Sequence, residues 1–151
     1  MINTSPVHEA GHALAALLLG LNVTEMLYSN INNASTDVAK EGVAIADLGV
    51  VALAGLAAVE IIHGAGAEAM EDQEGAECDL PKARAYATAL EESPEAQDCL
   101  LHEWRDKATT LLRSPGMPEA LEALGGLLVR RGRLTGDDVR EVFGGRVPSV
   151  K

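Results

Sequence analysis

From Val7 to Leu19 every position is apolar or glycine except His8, Glu9 and His12. Ser5-Pro6 stands just ahead of this stretch and predicts a helix start. A serine oxygen caps free backbone N–H groups, and proline suits the first helical position. Gly20 is the expected stop. Val23 to Tyr28 reads as a short strand and Val43 to Ala46 as a second one. Between them Ser29 to Glu41, rich in Asn, Ser, Thr and Asp, reads as a loop.

Leu48 to His63 predicts a second helix ending at Gly64. Ala65 to Glu77 contains five acidic residues and reads as an exposed, mobile loop. A third helix is expected around Pro81 to Glu91, and the bland reading of Asp79, just ahead of Pro81, is a cap for it. A fourth runs from Ser93-Pro94-Glu95 to about Leu112, where Ser114-Pro115-Gly116 breaks it. A fifth spans Pro118 to Arg131 and stops at Gly132, and Thr135 or Gly136 opens a short last one through Phe143. No internal repeat is visible. The pattern predicts a mainly α fold with at most a small β-element. It forms a single domain over 1–151, with the candidate chemistry in 1–92 and a C-terminal helical part in 93–151.

Composition narrows this further. Aromatic residues are only 3% of the chain, so Ala, Leu and Val must build the core, and Ala and Leu favour helices over a β-sandwich. Formal net charge is −11, and all of it lies in residues 1–80, where Lys40 faces twelve acidic side chains. Residues 81–151 hold eleven of each sign. A nucleic-acid partner is not expected, because binding it needs a basic stripe to displace counterions from phosphates. The same charge argues against an electrostatic membrane anchor. An acidic half attracts metal cations and basic peptides instead. Val43 to Ile62 is long enough to span a bilayer but contains Asp47 and Glu60, so a buried helix is expected. No Lys or Arg precedes position 40, as a signal peptide would require, and Cys78 and Cys99 make no disulfide framework. The expectation is a soluble, cytoplasmic protein.

The polar exceptions on the first helix carry the chemistry. His8-Glu9-Ala10-Gly11-His12 matches H-E-x-x-H. Positions four apart share a helix face, so both imidazoles can point at one ion, and neutral imidazole suits Zn²⁺. Glu9 lies about 100° round the helix from His8, placed to act as general base toward water without ligating the metal. The bland alternative is two histidines that face solvent or cap the core. An apolar helix, however, has no reason to bury two imidazoles and a carboxylate unless they are satisfied. For a third ligand the spacing offers Glu60, His63, Cys78, Asp79 and His102, and the residues alone leave Glu60 and Asp79 open. Cys78 suits a closed structural site better than a hydrolytic one.

These residues resemble a known family. His8-Glu9-Ala10-Gly11-His12-Ala13-Leu14 is similar to the H-E-A-G-H-A signature of the FtsH-type zinc metalloproteases. Leu53 to Gly64 resembles that family's L-G-G-R-A-A-E-E-L-I-F-G helix, and Gly75-Ala76-Glu77-Cys78-Asp79-Leu80 resembles its G-A-S-N-D-L. Arg105-Asp106-Lys107 through Gly132-Arg133-Leu134-Thr135-Gly136-Asp137-Asp138-Val139 is similar to its closing helices. The resemblance implies a helical metallopeptidase domain with one Zn²⁺ held by His8, His12 and Asp79, and Glu9 as the catalytic base. Departures include Leu56 for the family's Arg, Val59 for the first of two Glu, and Gln73-Glu74 for Thr-Thr. No P-loop is present, so ATP-driven unfolding of substrates is not expected of this chain alone.

The implied activity is ATP-independent hydrolysis of peptide bonds in unfolded or flexible polypeptides. The expected substrate mode is an extended peptide added to the sheet edge around Val23 to Tyr28. Glu60 is expected to support a ligating imidazole by a hydrogen bond. Cys99 and Trp104 are expected in the core, Cys78 as a small buried residue, His63 as structural and His102 at the surface. The acidic segment Glu68 to Glu77 is either a solvated loop or a lid. A homo-oligomer, with a hexamer as the family expectation, would form through the C-terminal helices. The rival reading is a non-catalytic, zinc-stabilised interaction module or adaptor for a larger protease.

Overall fold

The most apolar segment becomes the centre of the molecule. Helix α2 (Ile45–His63) is buried without a break from Gly49 to Val59, as a helix apolar on all sides must be when other elements surround it. By length and composition it could cross a membrane, yet 61% of its apolar window is buried within the fold. It packs on α1 (Ser5–Leu18), α3 (Gln73–Leu90) and α4 (Pro94–Leu112). The computed structural model describes residues 3–30, 33–64 and 73–144. Among them are also strands β1 (Val23–Asn30), β2 (Asn33–Val38) and β3 (Arg133–Thr135), helix α5 (Met117–Arg131) and helix α6 (Gly136–Phe143). The architecture is mainly helical with one small sheet, as the sequence predicts.

The sheet has strand order β2-β1-β3, both pairings antiparallel. Val23 and Met26 of β1 both face the core although three positions apart, because the ladder shifts register between Val23 and Glu25. Such an irregularity carries one extra residue and re-aims the side chains beyond it. Met26 pairs with Thr36 on one side and Leu134 on the other. Glu25 sits opposite Asp37, and Arg133 Nε, 2.5 Å from its carboxylate, offsets that like-charge pair. Gly132 ends α5 at φ 75°, the left-handed conformation that lets the chain enter β3.

Several local expectations are corrected. Helix α1 includes Ser5, because its N-cap is Thr4, whose side chain makes no cap bond, while Asn3 Oδ1 accepts from the Ser5 N–H at 3.2 Å. The polar stretch expected as a loop contains β2, which pairs along one side with β1 despite weak intrinsic strand preference. Val43 to Ala46 is not a strand: a short apolar run does not separate strand from helix, and Ile45 already begins α2. Helix α3 starts at Gln73 and holds Pro81 inside it, so Asp79 is a helical residue, not a cap. A proline withdraws one backbone donor from the ladder, and here the helix continues across it. Residues 65–72 of the expected acidic loop or lid lie outside the described residues, whereas 73–77 are helical.

Candidate metal centre

Two glycines bring α1 and α2 close enough to form the site. A Cβ on Gly11 would lie 2.5 Å from the Ala54 carbonyl oxygen and 2.6 Å from the Ala58 methyl. A Cβ on Gly55 would lie 2.6 Å from His8 Nε2 and 2.8 Å from His12 Nε2. The missing side chain at position 55 is therefore the space into which both imidazoles project. His8 and His12 are 5% and 9% exposed, and their rings meet edge to face with centroids 4.8 Å apart.

Asp79, 7% exposed on α3, closes the third side. Its Oδ2 lies 2.5 Å from His8 Nε2 and 3.1 Å from His12 Nε2. One carboxylate oxygen thus meets both imidazoles from a position 71 and 67 residues away in sequence. His12 Nδ1 donates to the Val51 carbonyl oxygen at 2.7 Å, which leaves Nε2 of the neutral ring as the lone-pair nitrogen. Burial lowers the His12 pKa, but the Asp79 charge and hydrogen bond outweigh it, and the net shift is upward. Burial likewise pushes the Asp79 carboxyl up, and the charge of His12 with hydrogen bonds from both rings holds it well below the usual carboxylate range.

Glu9 is half-buried on the same helix turn. His8, Glu9 and His12 each offer a donor atom, all within 4.8 Å of one another, and this group could hold a metal ion. Glu9 Oε1 accepts a hydrogen bond of 2.8 Å from Thr36 Oγ1 on β2. The donor chemistry fits Zn²⁺: two Nε2 atoms and a carboxylate oxygen converge, with a backbone carbonyl orienting one imidazole.

The other candidates lie elsewhere. Glu60 does not support an imidazole. Its Oε2 accepts from Arg105 Nη2 at 2.6 Å, because it sits five residues, or about 140° of helix, round from Gly55. Cys99 is exposed rather than in the core: it is two residues, about 200°, from the buried Gln97. Trp104 is buried and His102 exposed, as expected. His63 is half-buried, and its Nε2 is enclosed without a hydrogen-bond partner. The side chain of Cys78 lies outside the described part. The sequence reading missed Thr36, Gly55 and the Val51 carbonyl. The alternation Ala34, Thr36, Val38 was the available signal for Thr36, and nothing in composition marks a backbone carbonyl. Compared with known proteins, the chain matches no family model and no curated sequence.

Proposed function

We propose that the chain is a zinc-dependent metalloendopeptidase domain of the FtsH type. The observation that carries this reading is the meeting of His8 Nε2 and His12 Nε2 on Asp79 Oδ2, with Glu9 beside them. His8, His12 and Asp79 would hold one Zn²⁺, which when bound would polarise a peptide carbonyl and acidify water. Glu9 takes the proton of the attacking water and delivers it to the leaving amine as the C–N bond breaks. Val51 keeps His12 in the tautomer that presents Nε2.

Extended substrate adds to an edge of the small sheet built around β1. Strand β1 is paired on both sides, so β2 is the edge next to Glu9. Main-chain pairing there asks little of the substrate's side chains, which suits unfolded chains and flexible termini. This chain by itself holds no ATP-binding motif, so acting alone it would spare folded substrates. A homo-oligomer through the C-terminal helices, in a ring of six by resemblance, would restrain the open site.

The interaction-module alternative has no use for Glu9. A Glu9→Gln variant that keeps zinc and loses cleavage of a casein-like unfolded substrate is the expected result. Equal cleavage by this variant and the native chain would refute the assignment.

A further inference from the structure

The edge strand that would receive substrate also touches the proposed base, through a residue that the motif does not contain. Thr36 lies on β2 opposite Met26, which is fully buried, so register places both side chains on the face toward the helices. Its Oγ1 lies 2.8 Å from Glu9 Oε1 and 3.1 Å from the Glu9 backbone oxygen. A slip of one residue would bring Ser35 or Asp37 to that place. Asp37 there would face Glu9 with a second negative charge.

We infer that Thr36 is a positioning residue, which holds the Glu9 carboxylate in its working orientation and ties that orientation to the substrate-receiving strand. This rests on the peptidase reading. A glutamate on a helix surface has three rotatable bonds, and Glu9 is only half-buried, so packing alone does not fix its carboxylate. The threonine, by contrast, is β-branched and stiff at χ1, and it is carried by a paired strand. Its hydroxyl occupies one carboxylate oxygen and leaves the other for water. A peptide adding to β2 stiffens the strand carrying Thr36, so substrate binding and the orientation of the base reinforce each other.

The test compares the native chain with Thr36→Val, Thr36→Ser and Glu9→Gln, all zinc-loaded, on an internally quenched peptide. Valine keeps the shape and removes the hydroxyl; serine keeps the hydroxyl. For Thr36→Val the expectation is unchanged zinc content, a fall in kcat of about ten-fold and KM within about two-fold, as loss of one hydrogen bond to a charged group implies. Thr36→Ser should restore most of kcat. A purely structural role for Thr36 would instead lower the melting temperature and the active fraction of both variants together. Native kcat in a folded Thr36→Val chain overturns the inference and leaves the peptidase reading standing. If Glu9→Gln cleaves as well as the native chain, both fall.

Discussion

Gly55→Ala is the substitution that most directly probes the candidate centre. Ordinary van der Waals contact begins near 3.4 Å, whereas the new Cβ would lie 2.6 Å from His8 Nε2 and 2.8 Å from His12 Nε2. The two rings would have to retreat by about 0.8 and 0.6 Å, several times the ~0.2 Å tolerance of a metal–ligand bond. Loss of mere orienting partners weakens metal binding about 10–100-fold, so displacing both ligands should weaken zinc binding by at least about 100-fold. Helix propensity pulls the other way, since alanine favours a helix interior by about 1 kcal/mol over glycine, against about 1–3 kcal/mol for overpacking. Stability of the chelator-treated chain should therefore change by no more than about 2 kcal/mol. Gly126→Ala on α5 is the control, because its Cβ would meet only the flexible end of Arg130 at 3.3 Å. Competition with a chromophoric chelator reads affinity, and thermal melts with and without zinc read linkage. A Gly55→Ala chain that binds zinc within about three-fold of native would refute the argument that this gap is the metal cradle.

Asp79→Ala should lose far more zinc than Glu60→Ala, because Glu60 is engaged with Arg105; equal retention measured by elemental analysis would remove Asp79 from the ligand set. The buried pair also sets a pH dependence. In chelator, the raised His12 pKa contributes stability that is full below its unfolded value near 6.5 and is lost as pH rises through the folded value. Asp79 contributes above its unfolded value of 3.8, and loses it only in strong acid. Without metal, melting temperatures should thus fall as pH rises above about 6.5, while zinc affinity rises in the same direction as His12 loses its proton; parallel trends would contradict this. Ser93→Ala removes the oxygen that accepts from Ala96 N–H at 3.1 Å, and should destabilise the fold by about 1 kcal/mol in urea titrations without altering zinc binding. Light scattering across protein concentration tests the proposed oligomer, and a monomer throughout would remove the ring.

Helices were legible where a long apolar run met a capping signal. Ser93-Pro94 and Thr135 do cap α4 and α6, and Gly132 does stop α5. What failed was local chemistry overridden by distant partners. The polar β2 has little strand preference and exists as a ladder on β1, and β3 is three residues long, too short to show a period. Pro81 pointed to a helix start, yet one missing donor did not stop α3 from extending back to Gln73. Within the site, i,i+4 spacing was enough to pair His8 with His12. Asp79 against Glu60 was undecidable from residues alone, because that choice depends on which face of α2 and α3 meets α1. The resemblance chose Asp79, and in the fold it is Asp79 that reaches both rings. Thr36 and the Val51 carbonyl reach Glu9 and His12 through positions set by strand register and helix packing, which no short motif encodes.

Leu134 of β3 lies across from Met26 of β1, and both are fully buried. This joins the order in which the chain is made to the moment at which the candidate centre can assemble. At about 5–20 residues per second, roughly 3–10 s separate the emergence of Asp79 from that of β3 during synthesis. Throughout that interval both imidazoles and the carboxylate are already outside the ribosome. The far edge of β1 is still open, though, and an open edge is a template for stray pairing. An ion captured early would clasp α1 to α3 before α5 and β3 cover the remaining apolar faces. Nascent chains arrested before residue 133 would accordingly depend on metal for compactness far more than the finished chain, in which Leu134 seals Met26 whether or not an ion is bound.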